Sequence, residues 1–363
     1  MKVIIRSDSS QHIGSGHIMR CLSLAEGLRN SNISVEFITR DHLGNFNELI
    51  INKGFMLYSL PSPDEYNTRS DLFSYESWLG VKQEVDAKET INILSKLTVD
   101  WLIIDHYALD QIWEERIKSY SNRVMVIDDL ANRNHSCDLL LDTTEGRSQK
   151  DYFQKVHKHC GLLLGAKYSL LREQFVNYRS KALERRFLNQ IVKNILVSFG
   201  GSDPSDATSF ALRCIEKADI GATIDIILDE RSPHTKKVLK QISSMKTLVR
   251  LNHRVENMAK YMTRADIAIG AGGITSWERC CLGLPTIVLV TEHNQTQVAT
   301  NLHNIGAILS LGMFDNVKES DMVGAILNIV SNQQKRFNIS ENASKICDGN
   351  GVKRVVKAII NGT

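Results

Sequence analysis

The chain has 363 residues, 42% of them hydrophobic and 23% charged: a globular composition long enough for two α/β domains or one large one. Forty-four Lys and Arg against 41 Asp and Glu leave a net charge of +3, and no basic run interleaved with aromatics tracks a nucleic-acid backbone, which excludes a nucleic-acid partner. No apolar stretch approaches a signal segment or a membrane span, and seven cysteines without a C-x-x-C pair fit a reducing compartment, so a cytoplasmic enzyme with small, buried cysteines is expected.

The first strand is expected at 2–6 (KVIIR), followed by a loop with Gly14 and Gly16 and a helix over 18–29. A strand at 35–39 leads into 61–80, the least periodic stretch, where Pro61 and Pro63 break regular structure and a mobile excursion or lid is expected. Helical patterns at 87–96 and 110–119 alternate with strands at 101–105 (WLIID) and 124–128 (VMVID). Short, β-branched, nearly continuous apolar runs alternating with helices predict a doubly wound parallel sheet. Residues 170–190 are polar and charged, reading as a helical connection. The pattern then restarts with strands at 195–199, 222–228, 247–251, 265–270 and 286–290, and the tail ends in a helical pattern. The expected division is 1–168, a linker over 169–191, and 192–363, two Rossmann-like domains facing each other across a cleft.

Three glycine loops each follow a strand and precede a helix: Gly14–Gly16, Gly200 and Gly201 after ILVSF, and the GAGG run at 270–273. Ligands of open α/β sheets bind beyond the strand C-termini, where helix N-termini offer unpaired N–H groups. Position 19 is Met, so the first loop lacks the third glycine of a dinucleotide fingerprint, and no P-loop pattern occurs. In GAGGITSWERCCLGLP, Gly272 and Gly273 allow close approach to a diphosphate while Ile274 and Thr275 open a helix. Glu278, one turn in, either accepts from ribose hydroxyls or complements the helix dipole. The first reading suggests a nucleoside diphosphate.

Together these residues resemble the GT-B nucleotide-sugar enzymes, and within them the pseudaminic acid pathway UDP-sugar hydrolases, relatives of the MurG glycosyltransferase. The resemblance runs through RSDSSQHIGSGHIMRCLSLA, WLG with the following DA at 86–87, IIDHYALD, IDDLANRNHSCDLLLD, LLLGAKYSLLREQF, VSFGGSDPSD, GAGG with SWERCCLGLP, and NQ at 294–295. It departs at Thr143 and Thr144, where the family carries Gln-Asn, and at Ile274, where a small polar residue is common.

The resemblance implies metal-free hydrolysis of UDP-2,4-diacetamido-2,4,6-trideoxy-β-L-altropyranose at the anomeric C–O bond, with inversion. The partner is that small molecule alone, with no cofactor and no membrane, and a monomer is the expected state. His17 is the expected base, since an imidazole at a helix N-terminus has its cation disfavoured and can accept a proton from water. Gly14 and Gly16 shape its loop. Tyr107 stands where the sugar would sit, as a sugar or water contact, and Asn294 either reaches the sugar or caps a helix. Val255 lies where such enzymes hold uracil by the backbone. Arg20 is expected to be a structural pair, His135 structural, and Asp105 and Asp128–Asp129 strand-end caps. A MurG-like glycosyltransferase, a UDP-sugar 2-epimerase and a non-catalytic nucleotide-sugar binder are the competing readings.

Overall fold

The computed structural model describes residues 1–63, 75–188, 191–253 and 255–362. Two compact units emerge, one of residues 1–170 with 351–363, the other of residues 171–350. The first holds the parallel strands β1 (Lys2–Ser7), β2 (Ser34–Arg40), β3 (Met56–Leu60), β4 (Trp101–Asp105), β5 (Arg123–Ile127), β6 (Leu139–Asp142) and β7 (Gly161–Leu164), ordered β3-β2-β1-β4-β5-β6-β7. The second holds β8 (Asn194–Ser198), β9 (Thr223–Ile227), β10 (Val249–Asn252), β11 (Ile267–Ala271), β12 (Thr286–Val290) and β13 (Leu309–Met313), ordered β10-β9-β8-β11-β12-β13 and also parallel.

Period-two alternation explains the two-sided burial of the first sheet. Val3 and Ile5 of β1 join an apolar layer with Ile18, Leu22 and Leu28, while Ile4 joins the opposite layer with Leu102, Ile104 and Trp113. Arg6 follows Ile4 onto that second face, fully buried. It is tolerated because Asp8 and Asp86 both accept from its guanidinium. The DA pair of the sequence thus serves the core: Asp86 also accepts from Trp113 Nε1 at 2.9 Å.

Two assignments differ from the sequence reading. The stretch read as a linker contains the helix Glu173–Leu188, which belongs to the second unit and buries Phe175 and Ala182 while Arg179 donates to the carbonyls of Ser344 and Cys347. The last helix, Gly351–Asn361, belongs to the first unit rather than to 192–363. Its stripe of Val355, Val356 and Ile359 packs with the helix Gly16–Arg29, where a Cβ on Gly27 would lie 2.3 Å from Val352 Cγ1. An amphipathic stripe identifies a buried face but not the partner that buries it.

Residues 64–74 of the expected lid lie outside the described residues. Residues 75–79 form a short 3-10 turn, Tyr75–Leu79. Strand order reverses between β1 and β4 and again between β8 and β11, and the loops beyond these strand ends carry most of the candidate site residues.

Candidate active site

In the first unit, Ser15 precedes the helix Gly16–Arg29, so His17 occupies its second position with no acidic residue in the first turn. Ser7 of β1 pairs with Asp105 of β4, which brings the loop after β1 beside the end of β4. There His17 Nδ1 meets Asp105 Oδ1 at 2.6 Å. Arg20, one turn along, forks onto the same carboxylate, with Nε to Oδ2 at 2.7 Å and Nη2 to Oδ1 at 2.6 Å, and donates a third bond to Asp129. Cys21 Sγ adds a contact of 3.3 Å to Asp105 Oδ2.

Burial alone would push the Asp105 carboxyl up, but Arg20 and His17 overcome it and hold the group well below the usual carboxylate range. A permanently ionised acceptor fixes the imidazole proton on Nδ1 and leaves the Nε2 lone pair as the basic site. Burial and the two carboxylates together keep Arg20 charged: desolvation opposes the cation, and Asp105 and Asp129 outweigh it.

Tyr107 stands two residues beyond Asp105, its ring edge-on to His17 with centroids 4.6 Å apart. Its hydroxyl donates to Asp129 Oδ2 at 3.0 Å, and burial with that carboxylate pushes the phenol well above its ordinary range. Tyr107 therefore stays a neutral donor already spent on Asp129, with oxygen lone pairs left to accept. Thr143 holds the other oxygen of Asp129 through its backbone N–H and its hydroxyl at 3.4 and 3.3 Å.

Asp128 behaves as the expected strand-end cap, accepting from the N–H of Ala131 at 2.9 Å. His135 is structural and buried: its Nδ1 meets Glu114 at 2.7 Å and its Nε2 lies 3.8 Å from Asp128. Burial disfavours its cation, yet Asp128 and Glu114 push it up to about 9. Asp105 is not a cap. Its role was missed because the strand-end position is visible in WLIID, whereas its pairing with a histidine 88 residues away is not.

Gly14 has a φ of +75° and its N–H donates to Ser10 O at 2.9 Å, while Ser10 Oγ accepts from the N–H groups of His12 and Ile13. The loop thus ties its first N–H groups, those of His12, Ile13 and Gly14, to Ser10 and delivers His17 at the helix start.

In the second unit, Gly200 and Gly201 are exposed after β8, with a φ of +94° at Gly200. Asp203 then turns its carboxylate onto the N–H groups of Ala207 and Thr208 at 3.0 and 2.8 Å, starting the helix Ala207–Ala218. Gly270 lies inside β11 rather than in the loop, and a Cβ there would fall 2.3 Å from Ser198 O, so this glycine serves sheet packing.

The loop proper is Gly272–Gly273, leading through Ile274 into the helix Thr275–Cys281. The N–H of Gly272 is taken by Gln295 Oε1 at 3.0 Å. Among the described residues, the N–H groups of Gly273, Ile274 and Thr275 meet no protein acceptor. Glu278 is buried and accepts from Arg172 Nη2 at 3.0 Å; burial raises its carboxyl, against the pull of Arg172.

Asn294 is exposed in the short turn His293–Gln295 and caps no helix; its neighbour Gln295 instead ties Gly272 to Thr291. Val255 is half-buried two residues after His253, whose Nδ1 holds Leu228 O at 2.7 Å. Among the described residues, no group of three or more His, Cys, Asp or Glu is placed to hold a metal, and no helix is long and apolar enough to cross a membrane.

Residues 195–359 match the glycosyltransferase family 28 C-terminal domain. The Bacillus subtilis spore coat polysaccharide biosynthesis protein SpsG is 26% identical over 98% of this chain and 96% of its own length. The Campylobacter jejuni UDP-2,4-diacetamido-2,4,6-trideoxy-beta-L-altropyranose hydrolase is 27% identical over 84% of this chain and 97% of that protein. The Methanocaldococcus jannaschii protein MJ1062 is 26% identical over 82% of this chain, which spans 57% of its length. Among solved structures, MurG of Acinetobacter baumannii matches with a TM-score of 0.73 at 13% identity, covering 99% of each chain. The chain has the GT-B fold.

Proposed function

We propose that this chain hydrolyses a UDP-sugar at the anomeric carbon, the substrate being UDP-2,4-diacetamido-2,4,6-trideoxy-β-L-altropyranose. The single observation that carries the reading is the His17–Asp105 pair at 2.6 Å, with Arg20 forked onto the same carboxylate. Such a pair is built to take a proton, and the similarity to the Campylobacter jejuni hydrolase supplies the substrate.

In this reading His17 Nε2 removes a proton from water as the oxygen bonds to C1, and the C1–O bond breaks with its electron pair leaving on UDP. The sugar is released with inverted configuration. Asp105 holds Nδ1–H and stabilises the imidazolium that forms, while Tyr107, its hydrogen spent on Asp129, accepts from the attacking water. Gly14 and Gly16 set the position of the helix carrying His17.

The nucleotide is assigned to residues of the second unit. The N–H groups of Gly273, Ile274 and Thr275, which meet no acceptor among the described residues, suit the diphosphate and the charge that develops on it, so UDP can depart without a metal. Gly272 shapes the loop, Glu278 accepts from ribose, the Val255 backbone serves the uracil, and Gly200, Gly201 and Asn294 border the ligand.

The match to the family 28 domain favours one rival, transfer of the sugar to an acceptor. Incubation with the UDP-sugar in 18O-labelled water and no acceptor separates the two. UDP with label in the free sugar supports hydrolysis at carbon, label in UDP places attack at phosphorus, and an unchanged substrate supports transfer or mere binding.

A further inference from the structure

The motif WLG at 78–80 is not absorbed by proton transfer or nucleotide binding, yet its parts are tightly placed. Leu79 is 1% exposed and anchors the 3-10 turn Tyr75–Leu79 in the core. Gly80 has a φ of +72°, and a Cβ there would lie 2.5 Å from Pro63 Cγ and 3.3 Å from His42 Cε1. With both neighbours fixed, Trp78 is held half-buried against the residues around His17.

Its ring stacks on Tyr107 at 28° with centroids 5.6 Å apart and meets the His17 ring edge-on at 5.9 Å. Tyr75 closes the group, edge-on to Trp78 at 4.9 Å and near Tyr107 at 5.1 Å. Two half-buried aromatic rings, Trp78 and Tyr107, therefore border the imidazole expected to activate water, and Tyr75 backs both. Arg20 is engaged on Asp105 and Asp129, and the Tyr107 hydroxyl donates to Asp129. Beside the Tyr107 oxygen, which can still accept, the three residues present ring surface, which favours C–H and methyl groups over hydroxyls.

We propose that Trp78, with Tyr75 and Tyr107, forms an apolar wall that selects sugars bearing methyl groups, a deoxygenated C6 and N-acyl substituents, over fully hydroxylated ones. This rests on the reading of the protein as a UDP-sugar hydrolase and names the part of the chain that sets its sugar specificity. A methyl buried against such a surface is worth about 10-fold or more in kcat/KM.

The test compares kcat/KM of the native protein, Trp78→Ala and Trp78→Phe for two UDP-diacetamido sugars that differ only in a hydrogen or hydroxyl at C6. The native protein should prefer the 6-deoxy sugar by about 10-fold or more, Trp78→Ala should bring the ratio near one, and Trp78→Phe should restore most of it. A ratio unchanged in Trp78→Ala overturns the proposal. Saturation-transfer NMR reads the wall without turnover: the C6 and acetamido methyls of the UDP-sugar should receive saturation from the native protein and lose it in Trp78→Ala. Methyl contact without UDP release would retain the wall and reject hydrolysis; UDP release without methyl contact would do the reverse.

Discussion

Replacing Asp105 by Asn separates the tautomer of His17 from its position. In the native protein the carboxylate accepts the Nδ1 proton and also receives the Arg20 fork. An Asn of the same shape keeps its oxygen for Arg20 and turns its amide N–H toward His17 Nδ1, which must then accept. The ring proton moves to Nε2, and the atom that should take a proton from water becomes a donor. General-base assistance is worth ~10²–10⁴-fold, or ~3–5 kcal/mol of barrier, and kcat should fall by that factor. KM should change by less than about threefold, because the nucleotide contacts are untouched.

The change also leaves Arg20 short of a buried carboxylate, at a cost of ~3–5 kcal/mol in stability. Turnover is therefore measured well below each variant's melting midpoint, set by circular dichroism, with UDP release followed by chromatography. A double-mutant cycle with His17→Ala makes the test specific: once the imidazole is gone, Asp105→Asn should cost little more. If Asp105→Asn keeps kcat within about twofold of native, or if the two losses multiply, Asp105 does not act through His17 and the proton-transfer assignment fails.

Other consequences follow from single atoms. A Cβ on Gly273 meets nothing within 4 Å, so Gly273→Ala should leave the melting midpoint unchanged yet weaken UDP by about 10-fold or more by titration calorimetry; unaltered affinity would remove the diphosphate from this loop. Gly270→Ala, which drives a methyl into Ser198 O, should lose ~3 kcal/mol or more in urea unfolding, and full stability would show that β8 and β11 can part. Glu278→Gln decides between two partners: if the carboxylate holds ribose, UDP should weaken while 2′,3′-dideoxy-UDP changes little, whereas equal losses for both would assign Glu278 to Arg172 alone. His135 has its folded pKa raised from 6.5 to about 9, so its contribution is complete below the unfolded value and disappears as pH rises through about 9. The loss should total ~3 kcal/mol in urea unfolding between about pH 6 and pH 10 and be missing from His135→Gln; a slope shared by both proteins would exclude His135 as its source.

Periodicity carried most of the fold because both sheets are parallel and buried on two faces. WLIID and TIVLV are continuous apolar runs, and their strands, Trp101–Asp105 and Thr286–Val290, lie where the runs do. The strands missing from the periodic reading include β3, β7 and β13, which border their sheets; in Met56–Leu60, for example, Met56 and Ser59 are exposed, Leu57 and Tyr58 half-buried and Leu60 buried, which gives no clean pattern. The destination of the last helix was invisible for another reason, since its valine stripe would suit either sheet. Glycine loops likewise revealed where the chain turns but not what each glycine does. Gly270 avoids a backbone collision, Gly272 gives its N–H to Gln295, and Gly273 combines open space with an N–H that meets no acceptor among the described residues.

The two reversals of strand order share a geometry and differ in the groups that stand beyond the strands. Beyond β1, β4 and β5 stand Asp8, Asp105 and Asp129, each answered by an arginine, Arg6 for the first and Arg20 for the other two. Arg6 and Arg20 are thereby committed, and the N–H groups of His12, Ile13 and Gly14 are spent on Ser10. Beyond β8 Asp203 is folded onto a helix start, while beyond β11 the N–H groups of Gly273, Ile274 and Thr275 meet no acceptor among the described residues. Close by, the buried Arg279 donates to Ala271 O and Ser276 Oγ, and burial lowers it to about 10 against the pull of Glu278. His17 belongs with the carboxylates of the first unit because Asp105, which stays ionised, accepts its Nδ1 proton.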